Sequence, residues 1–146
     1  CGSIQQNLQL GQVILAMGAC TDSISNTLVF NNLQFAPIAD YHLLHHAHQS
    51  AASMGINCLV GNIYSTDLFY LDDENRYDAL VDHGVLVVDM ETSALYTMAA
   101  KSGIRALSVL TVSDNIVTGD KSTSEERQQK FMDMMKIALG AVDSGL

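Results

Sequence analysis

Two acidic residues, Glu91 and Asp114, stand where an α/β protein would place its chemistry. Each follows a short apolar run: Val85–Val88 precedes Asp89-Met90-Glu91, and Ala106–Val112 precedes Ser113-Asp114. Short, unbroken, β-branched runs predict strands buried on both faces. As parallel neighbours, the two strands would open their polar ends on one sheet edge. The carboxyl edge of an open α/β sheet is where ligands bind. An acid at Asp114, screened from water, could hold a proton and donate it; the simpler reading is a loop cap. Glu91 begins a predicted helix, where the helix dipole alone favours an acid. Beside Asp89, it could also accept two hydrogen bonds from vicinal sugar hydroxyls, since an ionised carboxylate only accepts.

Other residue types compete for attention. His42, His45, His46 and His48 crowd one predicted helix, and three of them at i, i+3 and i+4 could meet on one face. Neutral imidazole is a common metal ligand. No carboxylate or Cys follows at ligand spacing, so a solvated His-rich face is expected and no metal is assigned. Phe69 and Tyr70 fall in a loop after a strand, where an aromatic either stacks on a flat ligand or plugs the core edge. The core reading suits Tyr70 and the question stays open for Phe69. The stripe Met132, Met134, Met135 reads as packing.

These residues need elements to hold them. Gln12–Met17 predicts a buried strand, with Gly18–Ser23 as a polar loop at its end. Leu28–Phe35, around Asn31-Asn32, predicts a hairpin or an irregular excursion. Asp40 is a good N-cap for a helix from about Tyr41 to Met54, stopped by Gly55. Ile56–Tyr64 predicts a strand interrupted by Gly61. The acidic run Asp72-Asp73-Glu74 precedes a helix that reaches His83 and closes at Gly84. A helix over Thr92–Ser102 ends at Gly103. Thr123-Ser124-Glu125-Glu126 forms a capping box for a last helix, with Phe131, Met134, Met135, Ala138 and Val142 on one face. Alternating strands and helices give an α/β class with a parallel or mixed central sheet flanked by helices.

The chain has 146 residues, is 48% apolar, and carries a net charge of −9. That length predicts a single domain over 1–146. The charge argues against a nucleic-acid partner, and residues 1–75 contain no Lys or Arg. Cys1, Cys20 and Cys58 have no metal or disulfide spacing; together with the absence of a signal segment they predict reduced thiols in a cytoplasmic protein. No apolar stretch is long enough for a membrane span. The start at Cys1-Gly2-Ser3 suggests a fragment or a processed product.

A series of separated motifs then acquires meaning together. In order they are Met17-Gly18-Ala19-Cys20-Thr21-Asp22-Ser23, Phe35-Ala36-Pro37-Ile38-Ala39-Asp40, Val60-Gly61-Asn62, Asp67-Leu68-Phe69-Tyr70, Met90-Glu91 and Thr111-Val112-Ser113-Asp114. Glu126-Arg127-Gln128 and Met134–Leu139 follow. The series, spread over essentially the whole chain, resembles the bacterial, hexameric type of purine nucleoside phosphorylase. The resemblance implies the three-layer fold of that family and reversible phosphorolysis of purine (deoxy)ribonucleosides to a free base and a pentose 1-phosphate. Asp114 matches the general acid that protonates purine N7, and Arg127 the residue that approaches this acid as the last helix bends. Glu91 matches the carboxylate on the ribose hydroxyls, Met90 packs on the sugar, Phe69 stacks on the base and Val88 lines its other side. Ser113 sits by the base edge, and Cys1-Gly2 matches the backbone turn near the base. No cofactor is implied, inorganic phosphate being a co-substrate, and the assembly implied is a homohexamer, a trimer of dimers.

Two departures accompany the resemblance. Position 89 is usually Glu in the family and is Asp here. The family's section before the Cys-Gly pair, with its phosphate-binding glycine loop, Arg and Ser residues, has no counterpart in these 146 residues. The expectation is therefore that this chain alone does not catalyse phosphorolysis. Two other functions fit the same residues: a nucleosidase of the same fold that uses water, and an inactive purine-nucleoside-binding fragment.

Overall fold

A computed structural model describes residues 1–68 and 75–143, with backbone alone for Gln129 and Lys130. The readings made for Phe69, Tyr70 and Asp72–Glu74 lie outside the described residues. The strands are β1 (Gly2–Ser3), β2 (Val13–Thr21), β3 (Cys58–Ser65), β4 (Val87–Asp89), β5 (Val109–Thr111) and β6 (Asp114–Asn115). The helices are α1 (Ile24–Val29), α2 (Tyr41–Ser53), α3 (Asp78–Asp82), α4 (Thr92–Ser102) and α5 (Ser124–Asp143).

The strands form one mixed sheet in the order β5-β2-β3-β4-β1-β6. β2, β3 and β4 run parallel, β5 runs antiparallel to β2, and β1 pairs antiparallel with β4 but parallel with β6. β5 and β6 are the two ends of this order, yet only Val112 and Ser113 separate them in sequence. The run 109–115 therefore changes partners partway. Val112 exchanges backbone bonds with the start of β2, donating to Gln12 O at 2.9 Å and accepting from Gly11 N at 2.8 Å. One residue on, Ser113 N donates to Cys1 O at 2.9 Å. A sheet whose two ends are one continuous run must curl on itself.

Alternation along β2 builds the layers. Ile14 and Ala16 face one side, in a core with Leu8, Ala19, Ile63, Val87, Val112 and Tyr96 of α4. Val13 and Leu15 face the other, against Ala47 and Ala51 of α2 and Ile137 and Ala141 of α5. Helices thus cover both faces of β2, giving three layers. Gly61 lies where Leu86 crosses β3, since a Cβ there would stand 2.7 Å from Leu86 Cδ1. β2 carries a bulge between Ala16 and Gly18. There the Tyr96 hydroxyl donates to Ala16 O at 2.6 Å and accepts from Ser108 N at 2.9 Å, tying α4 to β2 and to the approach to β5.

Several elements match their sequence signals. Asp40 caps α2, its Oδ1 accepting from Leu43 N at 2.9 Å, and Gly55 follows with φ 67°. α4 spans Thr92–Ser102 and Gly103 ends it with φ 65°. Thr123 and Glu126 form the reciprocal box, with Thr123 N to Glu126 Oε2 at 2.9 Å and Glu126 N to Thr123 Oγ1 at 3.2 Å.

Other expectations are corrected. The runs Val85–Val88 and Ala106–Val112 are not parallel neighbours: β4 and β5 are separated by β2 and β3 and run in opposite directions. Gly18–Thr21 is strand rather than loop, because its small polar residues continue the ladder with Asn62–Ser65. Of the two readings of Leu28–Phe35 the irregular excursion holds and the hairpin does not: α1 ends inside it, and Asn31 and Asn32 turn the chain with φ of 50° and 64°. On α5 the inward residues are Ile137 and Ala141, while Phe131, Met135 and Val142 are exposed.

Removing the Tyr96 hydroxyl leaves a buried carbonyl and a partly buried amide short of a partner. Tyr96→Phe is expected to lower the unfolding free energy by about 1–3 kcal/mol in a urea titration.

Candidate active site

Four strands bring one row of residues level. Tyr64 on β3 is level with Val88 on β4, Val88 with Gly2 on β1, and Gly2 with Asp114 on β6. Residues level across a ladder point to the same face. Val88 is buried, packed with Ile4, Tyr64 and Val85. A Cβ on Gly2 would lie 3.0 Å from both Asp114 Oδ2 and Ile116 Cδ1. Glycine here lets the Asp114 carboxyl lie close over the backbone of β1.

Asp114 is half-buried and held from both sides. Ser113 Oγ stands 2.6 Å from Asp114 Oδ1 and 3.1 Å from Cys1 O. The next residue, Asn115, is 3% exposed and fully engaged. Its Nδ2 donates to Gln5 O and Leu8 O at 3.1 Å each, and its Oδ1 accepts from Val117 N and Thr118 N. An amide with every group paired anchors the strand that carries the acid. Sequence reasoning missed Asn115, which looked like ordinary loop polarity.

The β4 end splits its side chains by alternation. Val88 lies on the face shared with Gly2 and Asp114, and Asp89 turns the other way, into the interior. Asp89 Oδ1 accepts from Ser65 Oγ at 2.5 Å, and Oδ2 accepts from Thr92 N at 3.1 Å and from Thr92 Oγ1. Ser65 Oγ in turn accepts from Ser93 N at 3.0 Å. Asp89 thus caps α4 from three residues upstream. The oxygens of Asp89 are committed inside, so the sugar contact read for Glu91 falls to Glu91 alone. Glu91 occupies the N-cap position without capping by its side chain. It is exposed, as is Met90, and its Oε2 accepts from Met90 N at 3.1 Å.

Arg127, in the first turns of α5, is exposed, and its Nε donates to Ser122 O at 3.2 Å. Ser122 N donates to Ser113 O at 2.8 Å, so Arg127 is two short links from Asp114 without forming an ion pair to it. Asp114, Ser113, Cys1, Gly2 and Val88 meet along β1, and exposed Met90 and Glu91 follow just past the end of β4. Phe69 lies outside the described residues.

A second polar cluster borders this edge. Asp22, just past β2, accepts from Arg76 Nη2 at 3.2 Å, from Thr66 Oγ1 at 3.0 Å and from Asp67 N at 3.3 Å. Burial alone would raise the Asp22 carboxyl. Hydrogen bonding from Tyr64, Thr66 and Asp67 N, with the Arg76 charge, overrides that and holds it below the ordinary carboxylate value. Burial pushes the Tyr64 hydroxyl up, and the Asp22 acceptor adds to the shift. Arg76 was legible only as the first cation in the chain. The histidines of α2 build no such centre: Tyr41 stacks on His45 at 5.8 Å. Among the described residues no group of three or more His, Cys, Asp or Glu is placed to hold a metal ion. Nor, among them, is any helix long and apolar enough to cross a membrane.

The fold that carries these residues is a three-layer α/β arrangement around one mixed sheet. Residues 1–144 match the Phosphorylase superfamily, and the chain belongs to that family. It is similar to the DeoD-type purine nucleoside phosphorylase of Oceanobacillus iheyensis, 49% identical over 143 residues that make up 97% of this chain and 61% of that protein. The corresponding protein of Bacillus cereus is 50% identical over 141 residues, 97% of this chain and 60% of the relative. That of Geobacillus kaustophilus is 50% identical over 141 residues, 97% and 59%. The chain thus spans roughly three fifths of the length of the curated relatives it matches.

Two predictions follow from the carboxylates that hold this edge together. Asp89→Ala removes the cap of α4 and leaves buried hydroxyls unpaired, so unfolding in urea is expected to become easier by about 2 kcal/mol. For Asp22 the folded carboxyl lies below its ordinary value of 3.8. Its contribution is therefore complete above that value and lost as pH falls through the lower folded value. The melting temperature of the wild type is expected to exceed that of Asp22→Asn at neutral pH, with the gap closing in calorimetry as pH falls below 3.8 and through the lower folded value.

Proposed function

We propose that this chain carries the base and ribose pocket of a purine nucleoside phosphorylase. The reaction is reversible phosphorolysis of purine (deoxy)ribonucleosides to a free base and (deoxy)ribose 1-phosphate. The observation that carries this reading is β1, whose Gly2 is level with Val88 on one side and Asp114 on the other. The half identity to DeoD-type relatives supports it.

Glycosidic cleavage through an oxocarbenium-like state gathers negative charge on the departing purine and positive charge on the ribose. Asp114 protonates purine N7 and neutralises the first charge. Ser113 Oγ, bonded to Oδ1, leaves Oδ2 on the Gly2 side to hold that proton. Glu91 accepts from the ribose hydroxyls, and Met90 beside it packs on the sugar. Val88 lines the base with the Cys1-Gly2 backbone, and the family resemblance gives Phe69 the role of stacking on it. Arg127 reaches Asp114 when α5 closes, in a site then drier than the open one. An acid at 114 rather than an amide serves both 6-amino and 6-oxo purines, so adenosine and inosine are both substrates.

Phosphate is a co-substrate and no cofactor takes part. Anchoring phosphate takes Arg, Lys or a helix N-terminus. Here residues 1–75 supply no cation and Arg76 is engaged by Asp22, so phosphate is held by groups beyond those assigned here. We place the enzyme in the cytoplasm, assembled as a homohexamer, a trimer of dimers.

In a polypeptide of the relatives' full length built around this chain, Asp114→Asn is expected to lower kcat for inosine about 10²–10⁴-fold with little change in KM. Base release in the wild type is expected to require phosphate. Release at the same rate in phosphate-free buffer would point to a nucleosidase and overturn the reading.

A further inference from the structure

Among the described Lys and Arg residues, Arg76 alone is not exposed, and its side chain is 9% accessible. The chemistry above gives it no task. Its guanidinium reaches three groups in two segments at once. Nη2 lies 3.2 Å from Asp22 Oδ2 and 2.5 Å from Thr66 Oγ1, and Nη1 lies 2.7 Å from Leu68 O. Its Cζ sits 5.9 Å from the Tyr64 ring centre and 5.6 Å from that of Tyr77. Tyr64 is the first member of the row that runs through Val88 and Gly2 to Asp114. Arg76 therefore packs on one end of that row, and the acid occupies the other.

We infer that Arg76 is a positioning residue for the base-binding edge: it clamps the ends of β2 and β3 together and fixes the Thr66–Leu68 backbone beside Val88–Glu91. Thr66 N donates to Asp89 O at 3.0 Å, so the clamped turn abuts the start of Met90-Glu91 directly. Thr66 Oγ1 also accepts from Leu68 N at 3.1 Å, and Asp67 N donates to Asp22. Three groups of this turn, Thr66 Oγ1, Asp67 N and Leu68 O, bond directly to Arg76 or its partner Asp22. A planar fork with fixed donor directions is what the arrangement needs. A lysine keeps the charge and the attraction to Asp22 but cannot bond Leu68 O and Thr66 Oγ1 in the same geometry. A simple surface ion pair would be worth little and would be restored by lysine.

The inference rests on the proposed function in one respect, that the ligand at this edge carries a purine. The test compares the wild type with Arg76→Met and Arg76→Lys in the 146-residue chain. Hydrogen exchange is read at the Asp67 and Leu68 amides, and calorimetry gives the affinities for adenine and adenosine. In both variants protection of the two amides is expected to fall at least about tenfold, with α4 unchanged. Affinity for both ligands is expected to fall about tenfold, by the same factor for base and nucleoside. Recovery of affinity and protection by Arg76→Lys would overturn the inference, since charge alone would then suffice. Unchanged exchange in Arg76→Met, or lost protection with unaltered affinity, would overturn it as well. A wild-type chain that binds neither ligand counts against the function proposed above, and the exchange result alone then decides the clamp.

Discussion

The structure depends on one seam. Residues 109–115 pair first with β2 and then with β1, so a single extended run joins the two ends of the sheet. Backbone groups buried in such a crossing must find partners. They do so without a gap: Val112 bonds to residues 11 and 12, and Ser113 bonds to Cys1. The seam explains why Asp114 lies two strands from Val88 although β5 and β4 are far apart in the sheet. It also explains why a two-residue strand such as β1 persists. β1 is not stable by its own ladder; it is clasped between β4 and β6, with its Ser3 fully buried.

From that seam the alternation of strand residues separates scaffold from site. On one face of the β4 end, Asp89 gathers Ser65 and Thr92 into a closed set of bonds that caps α4. On the other face, Val88 stands level with Gly2 and Asp114, and the chain emerges as exposed Met90 and Glu91. Two acids two residues apart thereby take unlike tasks. One is spent on the fold, with its oxygens satisfied by short contacts. The other keeps its carboxylate outside, bonded only locally through Met90 N among the contacts seen. The shorter side chain at position 89 suits the inward task.

Much of this was legible where the chain is punctuated. Asp40 with Gly55, Glu126 with Thr123, and Gly103 after an Ala-rich run each declare a boundary through local chemistry, and those helices stand where the signals put them. The sheet order was not legible, because β1 and β6 hold two residues each and carry no periodicity. Gly18-Ala19-Cys20-Thr21 reads as loop by composition and is strand because β3 pairs with it in full. The inward side of α5 was misjudged. Its apolar residues are spread around the helix, and only contact with α2 and β2 selects Ile137 and Ala141. Asp114 and Glu91 were singled out as candidates from their places after apolar runs. Asn115 and Arg76 were not, since their significance lies in partners 50 or more residues away, or across a turn that sequence does not draw.

The seam has a mechanical corollary for the acid. With two residues between β5 and β6, and with Asn115 pinned on both its amide and its carbonyl, Asp114 has no slack of its own. In the function proposed above, adjustment of fit around a nucleoside then falls to the exposed groups, Met90, Glu91 and Arg127. The acid serves as the fixed datum against which they move.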